Sequence, residues 1–318
     1  MRTGLFYILN LLLLLHYEVF GQSCCSGGTP LIGNIGMQHL EKNEWYFRIG
    51  YDFNYINDLV SEDEVLEDDT RTRITQSLLW QSSYGITDRI GITVLLSYIN
   101  EQQNTFIANG VDNRVSQSGL GDGFLLAQFS VPMSVKQELI VVSGLKIPFG
   151  KTNARGEDGI LLPPDLQPGS GSRDFINGFS YKYFQIFGIP QFDLNATGGV
   201  RFSGKSSRFE GDVDYRFGNE FVSAVGLIKG FLLRKTTLTS VIQLSYRFTQ
   251  ADISEGFELP STGGHWVNIN PGLNLNPAAN LDITIGSEIP VYRNLVGTQL
   301  TTSYRLNLGV SYRLKSSN

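Results

Sequence analysis

Alternation of apolar and polar residues, sustained for about a dozen positions at a time, is the feature that most limits what this chain can become. From Glu44 to Tyr55 one face carries Trp45, Phe47, Ile49, Tyr51, Phe53 and Tyr55. The other carries Glu44, Tyr46, Arg48, Gly50, Asp52 and Asn54. A period of two belongs to a β-strand whose faces meet different surroundings. The same division recurs in Phe192–Phe202, Leu238–Phe248, Leu281–Val291 and Tyr304–Leu314.

Extending this reading along the chain predicts twelve strands, near 43–55, 71–83, 89–101, 119–131, 138–149, 173–184, 190–203, 219–231, 237–249, 265–275, 281–292 and 301–314. The pattern is weakest near 219–231, where Val222, Ala224 and Ile228 blur it. A tilted strand crosses a bilayer in about 9–11 residues, the length seen here. Connectors 84–88, 132–137, 184–189, 232–236 and 276–280 are short. Those at 56–70, 102–118, 150–172, 204–218, 250–264 and 293–300 are mostly long, and the two kinds alternate. Outer-membrane barrels pair short periplasmic turns with long external loops, so both ends of the predicted barrel fall in the periplasm.

A soluble β-sandwich would also alternate. Three features favour a membrane barrel instead. The predicted strands run to about twelve residues, where soluble ones average about five or six. Aromatics such as Trp45, Tyr55, Trp80, Tyr98, Phe248, Trp266, Tyr292 and Tyr304 fall near strand ends, where interfacial girdles lie. The third is an export signal. Arg2 precedes the apolar run Leu5 to Leu15, and Val19-Phe20-Gly21 is a cleavage site, giving a signal peptide over 1–21. The expected product is an all-β, antiparallel up-and-down transmembrane barrel over 43–318, exported to the bacterial outer membrane. In lipid every backbone N–H and C=O must be satisfied internally, and a closed barrel leaves no open edge.

Composition narrows the partners. A formal net charge of −5 and a pI near 5.3 give no basic footprint for phosphates, so nucleic acid is not expected. Outer-membrane lipid and lipopolysaccharide are, together with a small-molecule solute. The two cysteines, Cys24 and Cys25, are neighbours and cannot staple a loop. Segment 22–42 has Leu31, Ile32, Ile35 and Met37 among several glycines. An inward plug and a periplasmic tail both fit it.

If the apolar face meets lipid, the interior carries Glu44, Arg48, Asp52, Lys146, Asp193, Arg201, Arg247, Asp282, Glu288, Arg305 and Arg313. Arg48, Asp52, Lys146, Asp193, Arg201, Arg247, Glu288 and Arg305 are the candidate lumen-lining residues. A polar pathway with a weak charge filter and a set of bracing ion pairs both fit this mixture of signs, since twelve strands fall between a filled barrel and an aqueous channel. Loop 56–70 holds a dense run of Asp and Glu without the spacing of a calcium loop. Segment 150–172, rich in Gly and Pro, is either a constriction folded into the mouth or a surface loop. Catalysis is not expected: past the signal peptide only His39 and His265 remain, and there is no G-x-S-x-G elbow. No metal motif, phosphate loop or dinucleotide fingerprint is present, so no cofactor is expected.

Three segments resemble a known family. Gly119-Leu120-Gly121-Asp122-Gly123, Gly144-Leu145-Lys146-Ile147-Pro148-Phe149-Gly150-Lys151 and Pro168-Gly169-Ser170-Gly171-Ser172-Arg173-Asp174-Phe175 are similar, in that order, to recurring segments of the outer-membrane barrel family named for the MetA pathway of phenol degradation. Pro290-Val291-Tyr292 through Gly297-Thr298-Gln299-Leu300 adds to the likeness, which covers roughly residues 119–314. The resemblance implies an outer-membrane transporter, and the family name suggests hydrophobic or aromatic cargo. The function expected is a channel or transporter for small molecules. The alternative is a non-catalytic binding or structural barrel that acts through its external loops.

Overall fold

The computed structural model describes residues 37–68, 70–106, 112–206, 214–234 and 236–315. The expected signal peptide, Cys24 and Cys25, and the part of the expected plug or tail up to residue 36 lie outside the described residues. We number the wall strands β1 (Glu44–Glu62), β2 (Arg71–Gly85), β3 (Ile90–Phe106), β4 (Asp112–Leu120), β5 (Gly123–Val131) and β6 (Gln137–Ile147). They continue as β7 (Asp174–Tyr183), β8 (Phe192–Phe202), β9 (Glu220–Leu233), β10 (Thr236–Thr249), β11 (Gly264–Ala278) and β12 (Leu281–Lys315).

Neighbouring crossings pair antiparallel, and β12 closes the ring on β1 through a register running from Glu44↔Lys315 to Tyr55↔Tyr304. β4 and β5 form one crossing, because both pair with β3, broken at Gly121-Asp122. β12 makes two crossings. Its first part pairs with β11 and its second with β1, and it turns back at Gly297, whose φ of 67° suits glycine. Arg313 N donates to Asn280 O at 2.9 Å across this hairpin. Among the described residues the wall therefore consists of twelve crossings closed into a ring.

Burial is inverted relative to a soluble protein. Ile49 and Ile285 are 57% and 53% exposed, whereas Thr75 and Ser77 are 2% and 1% exposed. A sandwich would bury the apolar face, so this inversion decides for a barrel whose outside is solvated by lipid. The antiparallel all-β transmembrane barrel expected from the alternation is the fold observed.

Strand limits differ from expectation on the external side. β1 runs on to Glu62, and a short strand, Glu64–Leu66, folds back on it, so much of the acidic segment 56–70 is ladder rather than loop. Likewise β3 and β4 extend into 102–118 as paired strands. Polar residues obscured this because alternation is a signal of two media. Above the membrane both faces of a strand meet water, and the ladder continues without it.

Trp266 corrects the expected girdle. It is 4% exposed and faces inward with Asn268, its Nε1 donating to Thr301 Oγ1 at 3.1 Å. His265 faces the other way, its Nδ1 2.7 Å from the Tyr246 hydroxyl and its ring stacked on Phe248. Tyr55 and Tyr304 stack at 5.2 Å, as girdle aromatics on paired strands do.

Candidate functional site

Successive wall strands carry inward charges of alternating sign. Lys146 of β6 lies 2.5 Å from Asp174 of β7 and 3.7 Å from Asp122, at the break between β4 and β5. Asp174 is 3.9 Å from Arg201 of β8, Arg201 is 3.2 Å from Glu220 of β9, and Glu220 is 2.7 Å from Arg247 of β10. Arg247 then lies over the Trp266 ring at 4.9 Å. Lys146↔Asp174 and Arg201↔Glu220 are direct register partners, so the ladder itself puts each charge beside its opposite. The belt is built from buried groups whose mutual pairing offsets their desolvation.

The segment between β6 and β7 enters this barrel. Asp165 is buried and holds Arg73 of β2, Oδ2 to Nη1 at 2.8 Å, and Arg73 also binds Glu101 of β3. Gln117 donates to the Leu166 carbonyl, while Ala154, Leu162 and Leu166 pack together against Val115. Gln167 ties the segment to itself, accepting from Ala154 N at 2.8 Å and donating to the Ala154 and Leu162 carbonyls at 3.0 and 2.8 Å. Of the two readings of 150–172, an inward fold is the one observed.

The neck of this segment is where the three resembling motifs meet. Asp122 accepts from Gly150 N at 3.2 Å with one oxygen, and from Ser170 N and Oγ at 2.9 and 2.6 Å with the other. Gly150 and Gly169 lie backbone against backbone. A Cβ on Gly150 would sit 2.6 Å from the Gly169 Cα, which only glycine at that place avoids. Lys146 Nζ reaches Ser170 Oγ at 2.6 Å and Ser172 Oγ at 3.2 Å, so the neck is fastened to the belt.

Both ends of the lumen are narrowed further. On the external side, four short strands, Lys205–Ser206, Tyr215–Arg216, Ile253–Ser254 and Phe257–Glu258, form a ribbon tied to the neck by Ser206 Oγ donating to Ser170 O at 2.8 Å. Within it Tyr215 donates to Asp252. Burial, and then the Asp252 charge, raise the phenol pKa well above its usual value. On the periplasmic side, Met37 packs on an apolar cluster of Leu95, Phe124, Leu126, Ile176 and Val222 that faces inward. Gln38 accepts from Gln128 and Arg313 at 3.0 and 2.6 Å.

The candidate lumen residues divide accordingly. Lys146, Arg201 and Arg247 belong to the belt. Asp52 and Arg305 form a separate pair, Arg305 Nε lying 2.8 and 2.7 Å from the two carboxylate oxygens. Arg48 is half-buried beside Gly309 and makes no ion pair among the described residues. Asp193 stands apart, accepting from Gln185 N at 2.9 Å, and it braces the periplasmic turn. Glu288 borders a lumen cavity of about 70 Å³. Arg73, Glu101, Asp122, Asp165, Asp174 and Glu220 were not singled out from the sequence. Arg73 and Glu101 sit at inward positions of the predicted strands, where the alternation could have found them, but nothing in the sequence marks Asp165.

No family model matches the chain, and no curated protein matches it by sequence. Solved structures match it by fold. The COG4313 outer membrane channel from Pseudomonas putida F1 is similar with a TM-score of 0.68 and 14% identity, over 88% of this chain and 98% of that one. The transport unit of the autotransporter AIDA-I from Escherichia coli is similar with a TM-score of 0.52 and 12% identity, over 89% of this chain and 95% of that one. The fold is that of the bacterial outer-membrane β-barrels. Both likenesses extend over nearly all of the ring.

Proposed function

We propose that this protein is a channel for small solutes across the outer membrane, with the segment between β6 and β7 as its constriction. The observation that carries the reading is the Arg73–Asp165 contact, in which a charge on the inner wall holds an inserted segment within the lumen. Fully hydrogen-bonded bracing would need only the wall pairs. An inserted segment hung from a narrow neck adds an obstacle that can be moved. The fold of the Pseudomonas channel and the resemblance to the phenol-pathway family support the reading, and lipopolysaccharide is the outer-leaflet partner it implies. In this reading the barrel is a conduit and has no catalytic centre.

The test is single-channel conductance of the refolded protein in a planar bilayer, compared with a variant lacking 151–168. Because Gly150 and Gly169 already lie against each other, joining them directly should leave the neck in place. Discrete steps that grow in the deletion variant are expected. Silence from both, in protein shown to be inserted, would overturn the channel reading in favour of a binding role for the external loops.

A further inference from the structure

The cavity beside Glu288 opens from the lumen into the wall formed by β8 to β12. Thr197, Gln243, Ser245, Asn268, Asn270 and Asn307 line it, all of them uncharged hydrogen-bonding side chains. The cause is legible on β11, where the inward positions after Trp266 include Asn268, Asn270, Asn274 and Asn276. Two charges border the space. Arg247 is already occupied by Glu220 and by the Trp266 ring, and Glu288 has partners of its own. The cavity thus presents many dipoles and no spare charge toward the lumen.

From this lining we infer that the cavity is a binding site for an uncharged solute bearing several hydroxyl groups, of the carbohydrate class. The inference rests on the channel reading, since it names what the same lumen takes up. An ion entering here would exchange its hydration for side-chain dipoles with no countercharge to pair. A hydrocarbon would strip water from the amides and return no hydrogen bond. Hydroxyl groups both donate and accept, and the site has an unmet need for donors. The Oδ1 atoms of Asn268 and Asn270 are shielded from solvent and have no partner among the described residues, and Asn268 is 4% exposed. Val222, also in the lining, offers an apolar surface for the C–H face of a sugar ring.

Trp266 provides the readout. Trp45 and Trp80 face lipid, at 40% and 41% exposed, so a Trp45→Phe/Trp80→Phe protein reports by fluorescence from beside the cavity. That protein, folded in detergent, is titrated with sucrose, sodium benzoate and toluene. A saturable change is expected with sucrose alone. It should weaken about tenfold in Asn268→Leu or Asn270→Leu, the loss of one neutral hydrogen bond. Heat-modifiable migration on gels checks that each variant is folded, and the smaller Asn268→Ala, which also removes the acceptor, serves if leucine is not tolerated. Saturation by benzoate or toluene without sucrose, no response to any of the three, or a sucrose response untouched by the variants would each overturn the assignment. Liposome swelling separates it from the channel reading. Sucrose binding without swelling sinks the channel and leaves the site, whereas swelling without saturable binding sinks the site and leaves the channel.

Discussion

Asp165 Oδ2 lies 2.8 Å from Arg73 Nη1, joining the middle of an inserted segment to the inner wall of the barrel. Removing one member of a buried ion pair costs about 3–5 kcal/mol, chiefly by stranding the other charge. Arg73 would keep Glu101, so Asp165→Asn should fall at the lower end of that range. Even about 1.4 kcal/mol raises the population of the released segment tenfold. We expect Asp165→Asn to increase open-channel events in bilayer recordings while the barrel remains heat-modifiable, and Glu101→Gln to do so less.

The inverted burial makes a two-sided prediction. Leu194→Arg and Ile285→Arg place a charge on the lipid face and should destabilise the barrel by about 2–4 kcal/mol near the midplane. Arginine at Thr197 or Thr284, on the inward face, should cost less. Urea unfolding of protein refolded into lipid vesicles measures both, and equal losses on the two faces would show the assigned orientation to be wrong.

Much of this molecule can be read from residues alone, because the membrane imposes one rule on every crossing. Glu44 to Tyr55 alternates as strictly in three dimensions as in sequence, with Asp52 and Asn54 buried and Ile49 exposed. What fails is whatever the two-media rule does not govern. Trp266 looks like a girdle residue by type, yet its parity with Asn268 turns it inward, and parity outranks residue preference. Asp165 sits in a Gly- and Pro-rich stretch without periodicity, so no local pattern could place it beside Arg73, far away in sequence. The motifs around Asp122, Lys146 and Ser170 were visible as strings, but their meeting at one neck is a consequence of ring closure that only the registers reveal.

Lys146 lies between two carboxylates of the belt, 2.5 Å from Asp174 and 3.7 Å from Asp122. Lys146→Met would leave Asp174 and Asp122 facing each other, with Arg201 3.9 Å from Asp174 as partial compensation. A loss of about 3–5 kcal/mol in the same urea measurement is expected. The double variant Lys146→Met/Asp174→Asn removes a charge of each sign and should recover part of it, because replacing both partners is far cheaper than stranding one. A double variant no better than the single would show that packing around the aliphatic stem, not charge, is what Lys146 supplies.

Arg48 should set ion preference more than the paired cations do. Lys146, Arg73, Arg201, Arg247 and Arg305 each face a carboxylate, so their fields are largely cancelled locally. Arg48→Glu replaces a positive charge that has no ion pair among the described residues with a negative one, and the permeability ratio should move toward cations by up to roughly tenfold, the low end of what focused charge does to local ion concentration. Arg305→Gln should shift it less. Reversal potentials across a potassium chloride gradient distinguish the two. A larger shift from Arg305→Gln would mean that the Asp52 pair lies at the narrowest point.

Tyr215 gives the external ribbon a dependence on pH whose sign is fixed by its surroundings. Burial and the neighbouring Asp252 charge favour the neutral phenol, raising its pKa in the folded state above the ordinary value of about 10. The folded ribbon therefore holds this proton where the unfolded chain has lost it. The stabilisation is complete below about pH 10 and is lost as the pH rises beyond that. Ultraviolet titration of tyrosinate should show one residue ionising late, and that step should vanish in Tyr215→Phe. At neutral pH the same variant lacks a hydrogen bond to a charged acceptor, and trypsin cleavage at the exposed Arg216 should be about tenfold faster if the ribbon opens reversibly. Unchanged cleavage would show that the ribbon is held by Ser206, which bonds Ser170 and bridges to Ser172, rather than by Tyr215.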